Sequence, residues 1–199
     1  MNRLRMPMFA ALLCALLLPA SAALADDLDA ARTALDNRDY ASALRLLTPL
    51  AESGNAEAQF RLGTLYGKGL GTTRDVRRAA AYYSAAAQQG HAAAQERYGI
   101  LLLEGREIDI NPRKAALWLS MAANQNRPEA QYLLGLMHYK GIGMRRDEVA
   151  GTLWLEKAAA QGWREAQRTL AQIFSKGING MPPDQQRARY WFARSIGNI

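Results

Sequence analysis

Residues 66–73, which read YGKGLGTT, have the residue types of a phosphate-binding loop. Such loops bind phosphate when a strand precedes them and a helix N-terminus directs its amides at the anion. The same phase recurs as YKGIGM and SKGING, each time behind a helical pattern, and Lys68 lacks the spacing of a P-loop lysine. We therefore predict a turn between antiparallel helices, and no cofactor.

The two histidines, His91 and His138, are the candidate metal ligands. Neither has a histidine or carboxylate at ligand spacing, so we predict no metal site. His138 falls on the buried arc of its helix, and His91 lies in a turn before a helix. Glu57, Glu129 and Glu165 recur at one phase, where solvated carboxylates at a helix start suit the helix dipole.

Residues 1–25 predict a secretory signal peptide. Two arginines precede an apolar run through Leu18, and small residues then lead to an Ala-Leu-Ala segment before Asp26. The run is too short to span a bilayer comfortably, so we predict cleavage after Ala25 and a mature chain without a transmembrane segment. The predicted location is periplasmic, with secretion as the alternative. The only cysteine, Cys14, lies in that run, so the mature chain has no disulfides and no thiolate ligands.

The charge and the missing nucleophiles restrict the function further. Loss of Arg3 and Arg5 with the leader lowers the formal charge from +7 to +5, because residues 1–25 contain no acidic side chain. That mild excess falls short of a nucleic-acid-binding signature. The mature chain has neither a G-x-S-x-G elbow nor a cysteine nucleophile. We expect no nucleic-acid partner and no enzyme, with an envelope hydrolase as the least favoured function.

The elements that position these residues follow a period of 36 residues. Ala-Gln recurs at Ala58-Gln59, Ala94-Gln95, Ala130-Gln131 and Ala166-Gln167, and glycine at Gly69, Gly105, Gly141 and Gly177. Within each unit the apolar spacing predicts one helix that ends at glycine and a second helix capped by Asp or Asn. Stacked hairpins bury an apolar seam that one hairpin cannot bury alone. The predicted fold class is all-α, a right-handed solenoid of stacked antiparallel helix pairs.

The predicted organisation has a capping hairpin followed by four repeats. Residues 26–54 lack the repeat signature but read as two helices broken near residues 37–39. The repeats are expected at 55–90, 91–126, 127–162 and 163–199. In the last unit no further repeat covers Trp191 and Phe192, so this end either folds back on itself or takes part in self-association or partner binding.

The frame A-Q-x-x-L-G-x-x-Y-x-x-G-x-G, then Asp, A-x-x-W and A-A-x-x-G, resembles the Sel-one-like repeat (SLR), a relative of the tetratricopeptide repeat. The resemblance covers residues 55–199, with departures at Arg106-Glu107, Ala171 and Pro182-Pro183. It implies a non-catalytic scaffold or adaptor without catalytic residues. Some exported bacterial members of the family restrain sensor kinases or organise envelope machinery.

Two surfaces are candidates for binding. The first, here called the first-helix groove, comprises the residues expected on the exposed arc of the first helices: Phe60, Arg61, Thr64, Glu96, Arg97, Ile100, Tyr132, Leu133, Leu136, Arg168, Thr169 and Gln172. An apolar stripe with an arginine rim would suit a peptide or helix. The alternative is that Tyr132 and Leu136 pack against the adjacent hairpin.

The second surface, here called the basic ridge, gathers cations near the starts of the second helices: Arg74, Arg77, Arg78, Arg113, Lys114, Arg145, Arg146, Arg187 and Arg189. It could bind an anionic lipid headgroup, a cell-wall glycan or an acidic protein, or it could be a solvated edge. The favoured hypothesis is an adaptor that binds a protein partner in the first-helix groove and regulates or assembles an envelope complex. Binding of anionic envelope material by the basic ridge is the alternative, and the sequence leaves the oligomeric state open.

Overall fold

The computed structural model of the chain describes residues 18–105, 107–178 and 180–197. Within these ranges the chain forms ten α-helices and no strand: α1 Leu18–Asp36, α2 Tyr40–Glu52, α3 Ala56–Lys68, α4 Val76–Gln88, α5 Ala92–Glu104, α6 Pro112–Asn124, α7 Pro128–Lys140, α8 Glu148–Ala160, α9 Arg164–Lys176 and α10 Gln185–Ser195. Each helix packs chiefly against the helix before it and the helix after it. The all-α solenoid prediction is confirmed.

The predicted leader falls mostly outside the described residues. Its residues 1–17 are not described, and α1 begins at Leu18 and continues through the predicted cleavage position after Ala25. No helix in the described part of the chain is both long enough and apolar enough to span a bilayer. The leader and its cleavage stay predictions.

Glycine and short polar side chains delimit the helices. Gly69, Gly105 and Gly141 follow α3, α5 and α7 with φ of 69°, 65° and 74°, a left-handed conformation that glycine adopts without steric cost. The side chain of Asp75 then accepts a hydrogen bond from Arg78 N at 2.8 Å and caps α4. The stretch YGKGLGTT therefore comprises the last three residues of α3 and the start of the turn that leads to α4, so the predicted turn between two helices of one hairpin is confirmed.

Helical glycines bring the two helices of a hairpin close together. A Cβ on Gly63 would lie 2.7 Å from the Tyr83 ring, and one on Gly135 would lie 2.8 Å from Leu155 Cγ and 3.0 Å from Gly151 O. Close approach of this kind offsets the cost of a glycine in a helix interior, about 1 kcal/mol relative to alanine. The alanine at one phase of every repeat is fully buried in a core cluster shared with the preceding hairpin, at Ala58, Ala94, Ala130 and Ala166.

Buried glutamines join each hairpin to the one before it. Gln131 is 1 % exposed, donates from Nε2 to Ala123 O of the preceding hairpin at 3.1 Å, and accepts at Oε1 from Gln161 of its own hairpin at 2.8 Å. The same pair of bonds occurs at Gln59 and Gln95. Both ends of the amide are thus satisfied, as burial requires. We call this series the glutamine ladder.

Candidate interaction surfaces

The first-helix groove contains a cleft between the first and second repeats. Phe60 and Thr64 of α3 face Arg97 and Ile100 of α5 across a cavity of about 590 Å³ that Tyr83 also lines. Tyr83 donates its hydroxyl hydrogen to Thr64 Oγ1 at 3.2 Å, and burial raises the pKa of that phenol. An aromatic floor with a cationic edge can accept an apolar side chain and a neighbouring polar group.

A second cleft lies between the third and fourth repeats. Tyr132 and Leu136 of α7 face Thr169 and Gln172 of α9 across about 330 Å³. Gln172 also reaches a third cleft of about 550 Å³, which Arg168 and Phe192 line at the last hairpin. The three clefts are thus lined by nine of the twelve predicted groove residues. Arg61, Glu96 and Leu133 line none of these three, and Leu133 packs against a buried core cluster.

The aromatic residues of the groove are packed as well as accessible. The Phe60 ring stacks on the His91 imidazole at a centroid distance of 4.7 Å, and Tyr132 lies 6.4 Å from Trp163. Both are half-buried, and Tyr132 and Leu136 contact the core of the following hairpin. The alternative interpretation, in which Tyr132 and Leu136 pack against the adjacent hairpin, therefore holds, and both residues also line a cleft.

The expected exposure of Glu96 is wrong. Its side chain is 0 % exposed, and Arg127 of the next repeat donates to it from NH2 at 2.6 Å and from Nε at 3.3 Å. The hydrogen bond to Glu96 raises the pKa of the Arg127 guanidinium. Glu96 Oε2 also accepts from the backbone amide of Ala130 at 3.2 Å. Glu96 is therefore a structural residue and is not available to a partner.

The bond from Ala130 N to Glu96 caps the N-terminus of α7 with a side chain from another hairpin. At the matching position of α3, Asn55 accepts from Ala58 N at 2.9 Å, whereas Arg127 makes no side-chain cap bond for α7. Glu96 supplies the acceptor instead, since the first backbone amides of a helix have no partner within it. A buried carboxylate near the positive end of the helix dipole is stabilised by that dipole.

His91 caps α5 and contacts the preceding repeat. Its Nδ1 accepts from Ala94 N at 3.1 Å, so the neutral ring carries its hydrogen on Nε2 and donates it to Glu57 Oε2 at 3.0 Å. Glu57 also pairs with Arg61 at 2.5 Å. This ion pair removes Arg61 from the free cations of the first-helix groove. Over the described residues no group of three or more His, Cys, Asp and Glu side chains is placed to hold a metal ion.

Several cations of the basic ridge have partners within the protein. Arg74 pairs with Glu107 at 2.5 Å, and Arg78 donates to the Tyr66 hydroxyl at 3.0 Å. Ion pairs also join Arg146 to Glu148 and Arg187 to Glu156. The exposed cations of the ridge that have no ion-pair or hydrogen-bond partner among the described residues are Arg113, Lys114, Arg145 and Arg189. The ridge is thus partly neutralised by the chain itself.

The sequence analysis did not find an exposed apolar row on the second helices. Leu117 and Leu153 are 62 % and 56 % exposed, and Met121 and Val149 are 47 % and 45 % exposed. Leu117 and Leu153 lie 36 residues apart, so aligning the second helices by the repeat period shows leucine at the same phase in two successive repeats.

The fold and its surfaces define a helical-repeat solenoid of stacked hairpins. The sequence model of the family described as Sel1 repeat matches residues 56–91, 92–126, 128–163 and 164–196. The chain therefore belongs to the Sel1 repeat family. Repeats of this family generally build protein-interaction scaffolds.

Solved structures of related proteins show the same architecture. The chain is 34 % identical to a Sel1 repeat protein from Oxalobacter formigenes, with a TM-score of 0.73, covering 80 % of this chain and 65 % of that one. It is 32 % identical to c5321, a protective antigen of uropathogenic Escherichia coli with an SLR fold, with a TM-score of 0.72, covering 77 % of this chain and 32 % of that one. The chain thus spans less than two thirds of either protein. Among curated proteins, no match was found.

Proposed function

We propose that the chain is a non-catalytic, exported adaptor that binds a protein or peptide partner in the first-helix groove. The observation that carries the proposal is the cleft between α3 and α5, where four predicted groove residues meet. Membership of the Sel1 repeat family supports a role in protein interaction. Export to the periplasm, where the adaptor would regulate or assemble an envelope complex, rests on the predicted signal peptide.

The cleft suits a short peptide segment. The cleft between α3 and α5 combines half-buried aromatic surface from Phe60 with the exposed side chain of Arg97, which also pairs with Glu129 at 3.4 Å. Arg168 supplies an exposed guanidinium in the cleft at the last hairpin. A peptide can place an apolar side chain against the aromatic ring and a carboxylate against an arginine. Clefts repeated along the stack would hold successive segments of one extended partner.

The variants for a test must remove partner contacts and leave the hairpins packed. Truncation of Phe60 or Tyr132 would also remove packing against the next hairpin, so a lost interaction could reflect instability. Arg97 and Arg168 are exposed, and Arg97 also pairs with Glu129 at 3.4 Å, a surface ion pair that contributes at most about 1 kcal/mol. Arg97→Glu/Arg168→Glu therefore changes the groove with little loss of packing. Arg45→Glu/Arg164→Glu makes the same change in net charge at exposed positions of α2 and α9.

The experiment is affinity capture from an envelope extract, with quantitative mass spectrometry of what each variant retains. We expect proteins captured by the wild type to be depleted by the groove variant and recovered by the charge-matched control. The proposal fails if both variants recover the same proteins in the same amounts. Raised salt should weaken this capture less than it would weaken attraction to the basic ridge alone.

A further inference from the structure

The second helices carry an outward-facing row of three residues at i, i+4 and i+8. In α6 the row is Arg113, Leu117 and Met121, and in α8 it is Val149, Leu153 and Lys157. All six side chains are exposed. The two rows are 36 residues apart, so they occupy the same place on successive hairpins of the stack. We call this pair of rows the outer face.

Three of the second helices in the repeats are one-sided in charge, and α8 is the exception. Helices α4, α6 and α10 contain no acidic residue, and their basic residues are Arg77, Arg78, Arg113, Lys114, Arg187, Arg189 and Arg194. Helix α8 contains Glu148 and Glu156, which form ion pairs with Arg146 and Arg187. In contrast, every first helix from α3 to α9 contains at least one glutamate. The outer face therefore places its aliphatic side chains beside Arg113 and Lys114 on α6 and beside Lys157 on α8, where both glutamates are ion-paired.

We propose that the outer face docks on an anionic lipid surface. Aliphatic side chains flanked by Lys and Arg are the arrangement by which helices lie in the headgroup region of a bilayer. The cations would contact lipid phosphates, while Leu117, Met121 and Leu153 would enter the boundary with the acyl chains. The proposal is independent of the first-helix groove, because the outer face uses the second helices.

The placement of the apolar residues favours a bilayer over a partner helix. A partner helix docks by inserting apolar side chains at its i, i+3, i+4 and i+7 positions into a groove lined by apolar residues. The cleft between α4 and α6 is lined by Ala81, Tyr98 and Lys114, whereas Leu117 and Met121 stand outside it. Single exposed aliphatic side chains on successive helices fit a bilayer, because its broad surface can deform around each side chain. Lys157 Nζ also lies 3.9 Å from the Trp154 ring centroid, which keeps a cation beside Leu153.

Vesicle sedimentation tests the proposal with the purified protein. The probes are vesicles of phosphatidylglycerol and phosphatidylcholine in equal parts, and vesicles of phosphatidylcholine alone. We expect binding to the anionic vesicles only, and its loss at about 1 M salt, where charges are screened beyond about 3 Å. Arg113→Gln/Lys114→Gln/Lys157→Gln should weaken partitioning on the order of a hundredfold, since each basic residue near an anionic surface contributes about fivefold.

The apolar variant separates docking from simple charge attraction. Leu117→Ser/Leu153→Ser should weaken binding at least about tenfold with the charge unchanged, because it removes the side chains that enter the bilayer. The control Arg45→Gln/Lys140→Gln/Arg164→Gln removes the same charge from exposed positions on α2, α7 and α9 and should bind within about threefold of wild type.

The proposal would be overturned by equal binding to both kinds of vesicle, by full binding of the Leu117→Ser/Leu153→Ser variant, or by an equal loss in the charge control. Retention of an acidic amphipathic peptide in place of anionic vesicles would assign the outer face to a protein partner and also overturn it. Circular dichroism of each variant verifies that the helices are intact. Capture through the first-helix groove should be unaffected by the outer-face variants, so failure of one proposal leaves the other standing.

Discussion

The imidazole of His91 donates from Nε2 to the carboxylate of Glu57 at 3.0 Å, across the boundary between two repeats. Burial raises the pKa of Glu57, but the bond from His91 and the charge of Arg61 lower it by more, so the net pKa is below its usual value. Glu129 holds the same phase two repeats later, and there burial raises the pKa, with the charge of Arg97 opposing it. Trp163 occupies the place that His91 has beside Glu57. Glutamates at the same repeat phase thus have pKa values shifted in opposite directions.

These shifts predict opposite pH dependence for two matched variants. A carboxylate with a lowered pKa stabilises the fold above its unfolded pKa, near 4.5, and the stabilisation disappears as pH falls through the folded value. Glu57→Gln should therefore lower the free energy of unfolding at pH 7, by less than about 1 kcal/mol for this partly exposed pair, and the deficit should close in acid. Urea unfolding from pH 3 to pH 7 measures this difference.

Glu129→Gln is the counterpart. A carboxylate whose pKa is higher in the folded state than in the unfolded state, near 4.5, destabilises the fold when it is ionised. This loss of stability develops as pH rises from the unfolded-state pKa through the folded-state pKa. The variant should be at least as stable as wild type at pH 7, and its relative gain should vanish in acid. A loss of stability at pH 7 comparable to that of Glu57→Gln would contradict the assignment.

Replacement of Glu96 by glutamine tests the cap that it provides for α7. Breaking a fully buried ion pair costs about 3–5 kcal/mol, but Arg127 keeps 39 % of its side chain exposed and can turn to water. We expect Glu96→Gln to lower the free energy of unfolding by about 1–3 kcal/mol. In a double-mutant cycle with Arg127→Leu, the stability lost by the two single variants should sum to more than the stability lost by the double variant. Additive losses would show that the two side chains do not interact.

The glutamine ladder should contribute measurable stability at each step. Gln131→Leu removes the acceptor of Gln161 Nε2 and one of two donors to Ala123 O, which keeps its bond from Asn126 N. Loss of a hydrogen-bond partner from a buried polar group costs about 1–3 kcal/mol. Gln172→Leu is the control, because Gln172 is exposed and surface changes usually stay within about 0.5 kcal/mol. Chemical denaturation of both variants compares them, and equal stability would show that the ladder is dispensable.

Two helical glycines should respond in opposite ways to alanine. Gly135→Ala places a Cβ 3.0 Å from Gly151 O and from Leu155 N, backbone atoms that cannot move aside cheaply, so a loss of about 1–3 kcal/mol is expected. Gly67→Ala places its Cβ 3.4 Å from Ala79 Cβ, an ordinary contact, and should be neutral or gain up to about 1 kcal/mol of helix propensity. Thermal unfolding distinguishes the two, and similar melting temperatures would exclude close packing at Gly135.

The period of 36 residues predicted the helical stack because every hairpin meets the same local conditions. Helical spacing places Ala58 on the buried side, and left-handed glycine ends the helix at Gly69. One helical wheel could not predict the fate of Phe60, Glu96, Tyr132 and Arg168, which share one phase. That phase faces the following hairpin, so burial there depends on the neighbour: Glu96 meets Arg127, and Phe60 meets His91. Arg168 is exposed.

The pairing of Gln131 has a consequence for how such an array can change in length. Each ladder glutamine takes its acceptor from the hairpin before it and its donor from its own hairpin, so a duplicated unit would arrive with a complete set of bonds. An insertion that shifts this register within a hairpin would instead leave a buried glutamine amide or a buried carbonyl without one of its hydrogen-bond partners. Growth and shortening by whole units are therefore the genetic changes that this architecture tolerates best.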